Sequence, residues 1–79
     1  MSLQTGIYRH FKGGEYQVYG VATHSEDHSE MVVYRPLYGD GGLWVRPLAV
    51  FTGTVERGGE EVSRFRYIGP APRPSEVGL

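Results

Sequence analysis

The sequence predicts an all-β fold, a small SH3-like barrel or roll of about five antiparallel strands. Three observations carry that reading. Short runs rich in tyrosine, phenylalanine, valine and isoleucine recur along the chain, and such residues suit a pleated, half-buried surface. Glycine clusters at Gly13-Gly14, from Gly39 to Gly42, and at Gly58-Gly59 separate those runs, as hairpin turns require. Residues 47–51 read as a single helical or 3₁₀ turn, a short connector of the kind such a roll contains.

The first two strands, residues 7–11 and 16–21, flank Gly13-Gly14. A Gly-Gly pair accepts the positive φ angles of a two-residue hairpin turn. With that turn, Lys12 faces Glu15, Phe11 faces Tyr16 and Tyr8 faces Tyr19. One face then carries Ile7, Phe11, Tyr16 and Val18 as a core set. Tyr8, His10, Gln17 and Tyr19 lie on the other, and Arg9 falls on the core side, at a rim or in an ion pair. The second strand runs on to Thr23 and gives way to a polar loop at residues 24–30.

Residues 31–35 follow as a third strand. Asp40-Gly41 between apolar runs signals a second hairpin, returning the chain through Leu43, Trp44, Val45 and Arg46. In that ladder Pro36 opposes Val45 and Pro47 opposes Tyr34, both at non-hydrogen-bonded positions that tolerate proline. Arg35 then faces Arg46, and Leu37 faces Trp44. The single turn over residues 47–51 follows. A third turn at Gly58-Gly59 joins residues 54–56 to a run over 63–68, whose final part alternates polar and apolar residues. The domain expected is residues 6–68, preceded by a flexible N-terminus at 1–5 and followed by a Pro/Gly-rich flexible tail at 69–79.

Seventy-nine residues leave room for one domain, and a chain this short buries little surface, so its stability margin is thin. Cysteine is absent, which removes disulfides and thiolate metal sites. Ten aromatic residues, six of them tyrosine, supply the compensating buried area. A net charge of −1 argues against general attraction to nucleic acid or anionic membrane. Seven of the eight cationic residues are arginine, whose planar fork suits carboxylates, phosphates and aromatic faces. The chain has no apolar run of membrane-spanning length and no signal-peptide pattern at its start. The expected location is the cytoplasm.

The strongest candidate site is a ligand-binding one comprising Arg35, Trp44 and Arg46, with Tyr38 and His10 nearby. Like charges directly opposed across strands repel, so the expected Arg35–Arg46 pair needs a partner. Glu26, Asp27, Glu30 and Glu56 offer an internal ion network. The alternative is an anionic or stacked ligand beside Trp44. His24 and His28, with Glu26 and Asp27 between them, are weak metal candidates, because on a loop their spacing loses the meaning it has on a helix. No cofactor is indicated. Gly39 to Gly42 lacks the lysine, hydroxyl residue and following helix of a phosphate loop, and no G-x-S-x-G nucleophile elbow is present.

Several runs also resemble a known family. They are Gly6-Ile7-Tyr8-Arg9-His10-Phe11-Lys12-Gly13, His24-Ser25-Glu26, Val33-Tyr34-Arg35-Pro36-Leu37-Tyr38-Gly39, and Leu43-Trp44-Val45-Arg46-Pro47-Leu48 with Phe51. The likeness continues through Arg64-Phe65 and Tyr67-Ile68. In this order they resemble the DUF1653 family, bacterial domains of unknown function, over residues 6–68. The resemblance implies a small SH3-type barrel and brings no established activity, cofactor or catalytic residue. The function expected is a non-enzymatic binding or adaptor module for an acidic or aromatic ligand, either a protein or a small anion. Nucleic-acid or nucleotide binding through arginine and aromatic side chains is the alternative. A small metal-dependent enzyme is a distant third.

Overall fold

A computed structural model describes residues 3–39 and 41–71. The elements in chain order are β1 (Gly6–His10), β2 (Glu15–Thr23), β3 (Glu30–Pro36), β4 (Trp44–Pro47), α1 (Leu48–Phe51), β5 (Thr54–Arg57), β6 (Glu60–Ser63) and β7 (Phe65–Gly69). Five strands form one antiparallel sheet in the order β4-β3-β2-β1-β7, and β5-β6 stand apart as a hairpin. The chain therefore makes a four-stranded meander, takes one helical turn, and returns with β7 to pair with β1. This is the all-β class expected. Seven strands replace the expected five or so: residues 60–63 form β6, which the sequence reading leaves largely unassigned, and the run over 63–68 continues past Arg64 as β7. Gly69 ends β7, and residues 72–79 of the expected tail, like residues 1 and 2, lie outside the described residues.

Both long hairpins differ in register from the sequence reading, each by three residues. In β1–β2, Tyr8 faces Tyr16 and Arg9 faces Glu15. The loop is Phe11-Lys12-Gly13, closed by Gly13 N–H donating to the His10 carbonyl at 2.7 Å and His10 N–H donating to Gly14 at 2.7 Å. Gly13 takes the positive angle, φ 109°, as in a three-residue loop ending in a bulge glycine. Strand side chains alternate with period two, so an odd shift turns a whole strand over. Tyr8 is buried in place of Ile7 and Phe11. Arg9 faces outward and bonds Glu15 at 2.6 Å, the role assigned to Lys12.

In β3–β4, Tyr34 faces Trp44, Val33 faces Val45 and Val32 faces Arg46. The expected Arg35–Arg46 pair does not form. A seven-residue connection, residues 37–43, replaces the tight Asp40-Gly41 turn, and Asp40 itself lies outside the described residues. Pro36 is buried and faces Tyr16 of β2, while Pro47 faces Met31. Burial of Val32 and Tyr34 fixes the inward face of β3, and Arg35 necessarily points to the other side.

The core is aromatic. Tyr8, Tyr16, Val18, Val32, Tyr34, Phe51 and Phe65 form one buried cluster, with Leu3, Leu48 and Tyr67 packed against it. The helical turn falls where the sequence places it and serves to deliver Phe51, which stacks on Phe65 at 4.1 Å between ring centroids. Thr52 Oγ1 donates to the Leu48 carbonyl and closes the turn. A bulge between Val18 and Gly20 shifts the β2–β3 register, so that Val21 rather than Gly20 meets Val32. Gly6 allows the closest approach of β1 to β7: a Cβ there would sit 2.6 Å from the Gly69 carbonyl oxygen. The two-residue turn at Gly58-Gly59 is as expected, with φ of 61° and 84° and Arg57 facing Glu60.

Candidate functional site

Toward one end of the five-stranded sheet, aromatic rings and a cation gather on the inward face around Tyr16, which has Pro36 as its neighbour on β3. Tyr16 on β2 is the hub: its ring lies 5.5 Å from Tyr34, 5.4 Å from Phe65, 5.6 Å from Tyr38, 6.2 Å from Trp44 and 6.4 Å from His10. Such centroid distances, mostly edge to face, are those at which aromatic quadrupoles attract. The hydroxyls of Tyr16 and Tyr38 share a hydrogen bond of 2.6 Å. Burial, and then that bond, push the Tyr16 hydroxyl up to about 12. Tyr16 and Tyr34 are buried, whereas Trp44 is 43% exposed and Tyr38 51%. The buried rings thus hold two exposed ones in place.

Arg46 lies against this platform. Its guanidinium carbon stands 5.3 Å from the Phe65 centroid and 5.9 Å from that of Tyr34, within range of a cation–π contact. Among the described residues no carboxylate lies within salt-bridge distance of Arg46 or of Arg64. Arg64 Nε is buried with no hydrogen-bond partner, and a buried donor left unpaired is costly enough to call for an explanation. His10 packs edge-on to Phe65 at 4.8 Å, and its Nδ1 accepts a hydrogen bond from Lys12 N–H at 3.1 Å. Burial holds the His10 imidazole below its ordinary value, and the charges of Arg46, Arg64 and Lys12 lower it further.

Of the five candidate residues, then, Trp44, Tyr38, Arg46 and His10 meet around Tyr16. Arg35 is not among them: it faces Gln17 on the opposite side of the sheet, for the reason of strand parity given above. Glu26, Asp27, Glu30 and Glu56, considered as neutralising partners, make no ion pair with either arginine among the described residues. Sequence reasoning missed Tyr16, Phe65 and Arg64. The alternation of Arg64-Phe65-Arg66 was the available signal for Phe65, but its neighbours depend on β7 pairing with β1.

His24 and His28 sit in the loop between β2 and β3. His24 Nδ1 accepts a hydrogen bond from Glu26 N–H at 3.0 Å, and Ser29 N–H donates to Asp27 Oδ1 at 2.9 Å. His28 adopts a positive φ of 62° and donates its N–H to the His24 carbonyl. These contacts build the turn. No group of three or more histidines and carboxylates suited to a metal occurs among the described residues. No helix among them is long and apolar enough to cross a membrane.

Comparison with known proteins bears on the same span. Residues 6–67 match the model of a family described as a protein of unknown function, DUF1653. The crystal structure of a DUF1653 protein from Bordetella bronchiseptica is similar to this chain, with 34% sequence identity and a TM-score of 0.80 over 90% of this chain and 94% of that one. No curated protein matches. The aromatic platform thus lies within the matched span, and the chain belongs to the DUF1653 family, whose function is unknown.

Proposed function

We propose that the domain is a non-enzymatic binding module whose aromatic end receives an acidic group carried next to a flat or apolar one. One observation carries the reading: Trp44 and Tyr38 are exposed rings beside Arg46, an arginine with no carboxylate partner among the described residues. Leu43, next to Trp44 in the chain, is 68% exposed. An anion bound there would add charge-assisted hydrogen bonds to the arginine fork, while its flat portion stacks on the rings. The same chemistry would accept a nucleotide base and phosphate, which is the second reading. The net charge of −1 weighs against it for long polyanions. A cytoplasmic location belongs to the same proposal and rests on composition.

Trp44 is the single tryptophan, so its fluorescence reports the site directly. Phenyl phosphate, an aromatic ring bearing an oxyanion, should shift or quench the emission saturably. Arg46→Gln should weaken binding about tenfold or more, the equivalent of one charge-assisted hydrogen bond. Equal titration curves for wild type, Arg46→Gln and Tyr38→Ala would remove the proposal. Single-stranded oligonucleotides form the second arm: affinity falling linearly on a log–log plot against salt favours the nucleic-acid reading.

A further inference from the structure

The opposed arginines anticipated at one place in the fold occur at another. Arg9 of β1 and Arg66 of β7 are direct cross-strand partners, on the sheet face that points away from the aromatic core. Arg57 of β5 lines the same open cleft, whose volume is about 460 Å³ and which Phe11 and Ser63 also line. The β5–β6 hairpin forms one wall and the β1–β7 ladder the other.

The local charge does not balance. Glu15 bonds Arg9 at 2.6 Å and is the only carboxylate paired with any of the three arginines among the described residues. Arg57 Nη1 donates to the Phe11 carbonyl at 2.6 Å, and its guanidinium lies 5.8 Å from the Phe11 ring centroid. That side chain is therefore positioned by a neutral acceptor and a ring. Glu60 faces Arg57 across the hairpin without reaching salt-bridge distance and does not line the cleft. Like charges directly opposed across a ladder are unfavourable, and here one carboxylate is set against three cations.

We propose that this cleft, which shares only His10 with the Trp44 surface, is a second binding site, for a small molecule bearing adjacent oxyanion groups. Its volume falls within the range of small-ligand sites, roughly 300–1,000 Å³. Arg66 and Arg57 present forks that match phosphate or carboxylate oxygens. The Ser63 hydroxyl adds a donor, and Phe11 supplies an apolar wall. The size of the cleft favours a compact di- or trianion over a polymer.

The test uses inorganic pyrophosphate and citrate as probes, with sodium chloride matched for ionic strength, and follows amide and indole resonances by NMR. Saturable shifts should concentrate at Arg9, Ser63 and Arg66, with the Trp44 indole N–H unmoved. Arg66→Gln, at an exposed position, should weaken binding about tenfold or more, and Arg57→Gln similarly. Arg35→Gln, at a position that does not line the cleft, should bind as wild type does. Preference for pyrophosphate assigns the phosphate class, and preference for citrate the polycarboxylate class; either keeps the site. Shifts no larger than those from sodium chloride, or equal affinity in wild type and Arg66→Gln, overturn it. Loss on Arg46→Gln but not on Arg66→Gln would move the anion to the aromatic end, overturning this site while leaving the proposed function intact.

Discussion

The two faces of the five-stranded sheet handle arginine in different ways. On the inward face Arg46 rests over Phe65 and Tyr34, and the ring quadrupoles take the place of a carboxylate. On the outward face Arg9 and Arg66 oppose one another, and Glu15 pairs with only one of them. The difference teaches that a guanidinium's surroundings decide what it can do. An arginine over buried rings is held in place and still presents its edge to a ligand. Arginines in a wet cleft contribute little to stability, because exposed ion pairs are worth about 0–1 kcal/mol, yet they leave a local excess of positive charge.

The inward face should be the sensitive one. Tyr34 is 1% exposed and touches Tyr16, Trp44, Phe51 and Phe65. Tyr34→Ala should cost about 3–5 kcal/mol, enough to unfold much of a small domain, as chemical denaturation will show. Gly6→Ala comes next, because the new Cβ would meet the Gly69 carbonyl oxygen at 2.6 Å and part β1 from β7. A loss on the order of 2 kcal/mol is expected, measurable as a lower midpoint in urea. That substitution separates the backbone contribution of the sheet from the aromatic packing on its inward face.

Tyr38→Phe removes only the hydroxyl that meets Tyr16. About 1 kcal/mol should be lost, and the Tyr16 phenol, now raised to about 12, should titrate lower in an ultraviolet pH titration. His10 sharpens the same face by pH. Its folded value lies below the ordinary 6.5 because of burial and the nearby cations, so the unfolded chain takes up its proton first as the pH falls. The stability contributed by neutral His10 is complete above about pH 6.5 and is lost as the pH drops from there through the folded value. Melting temperatures between pH 7 and pH 5 should fall, and less steeply in His10→Gln.

The outward face should give the smallest effect on stability and the opposite effect on binding. Glu15→Gln removes the exposed partner of Arg9 and should change stability by less than about 1 kcal/mol. By releasing a third guanidinium into the cleft, it should tighten pyrophosphate binding in an isothermal titration. A large destabilisation with no gain in affinity would mean that the Arg9–Glu15 pair serves the fold alone.

Legibility in the sequence followed the same divide. The turn at Gly58-Gly59 and the helical turn before Gly53 were readable because local backbone chemistry decides both. Gly13-Gly14 was ambiguous, since a glycine pair serves a two-residue turn or the end of a three-residue bulged loop equally well. Burying Tyr8 rather than Ile7 selected the second. In the β3–β4 hairpin the glycines offered a tight turn, but seating Val32 and Tyr34 in the core placed Trp44 opposite Tyr34. Trp44 and Arg46, grouped with Tyr38 and His10 on the register expected for that hairpin, nevertheless share a face, because residues two apart on one strand do so in any register.

By itself, the sequence determined the all-β class, the places where the chain turns and the aromatic nature of the core. These depend on composition and on contacts a few residues apart. The tertiary structure decided which face each strand shows, and with it the separation of Arg35 from Arg46 and the meeting of Arg9 with Arg66. The physical reason is parity. A register error of any odd number of residues inverts a strand's faces at no local cost, so only the packing of Tyr8, Tyr34, Phe51 and Phe65 into one core can choose between the two.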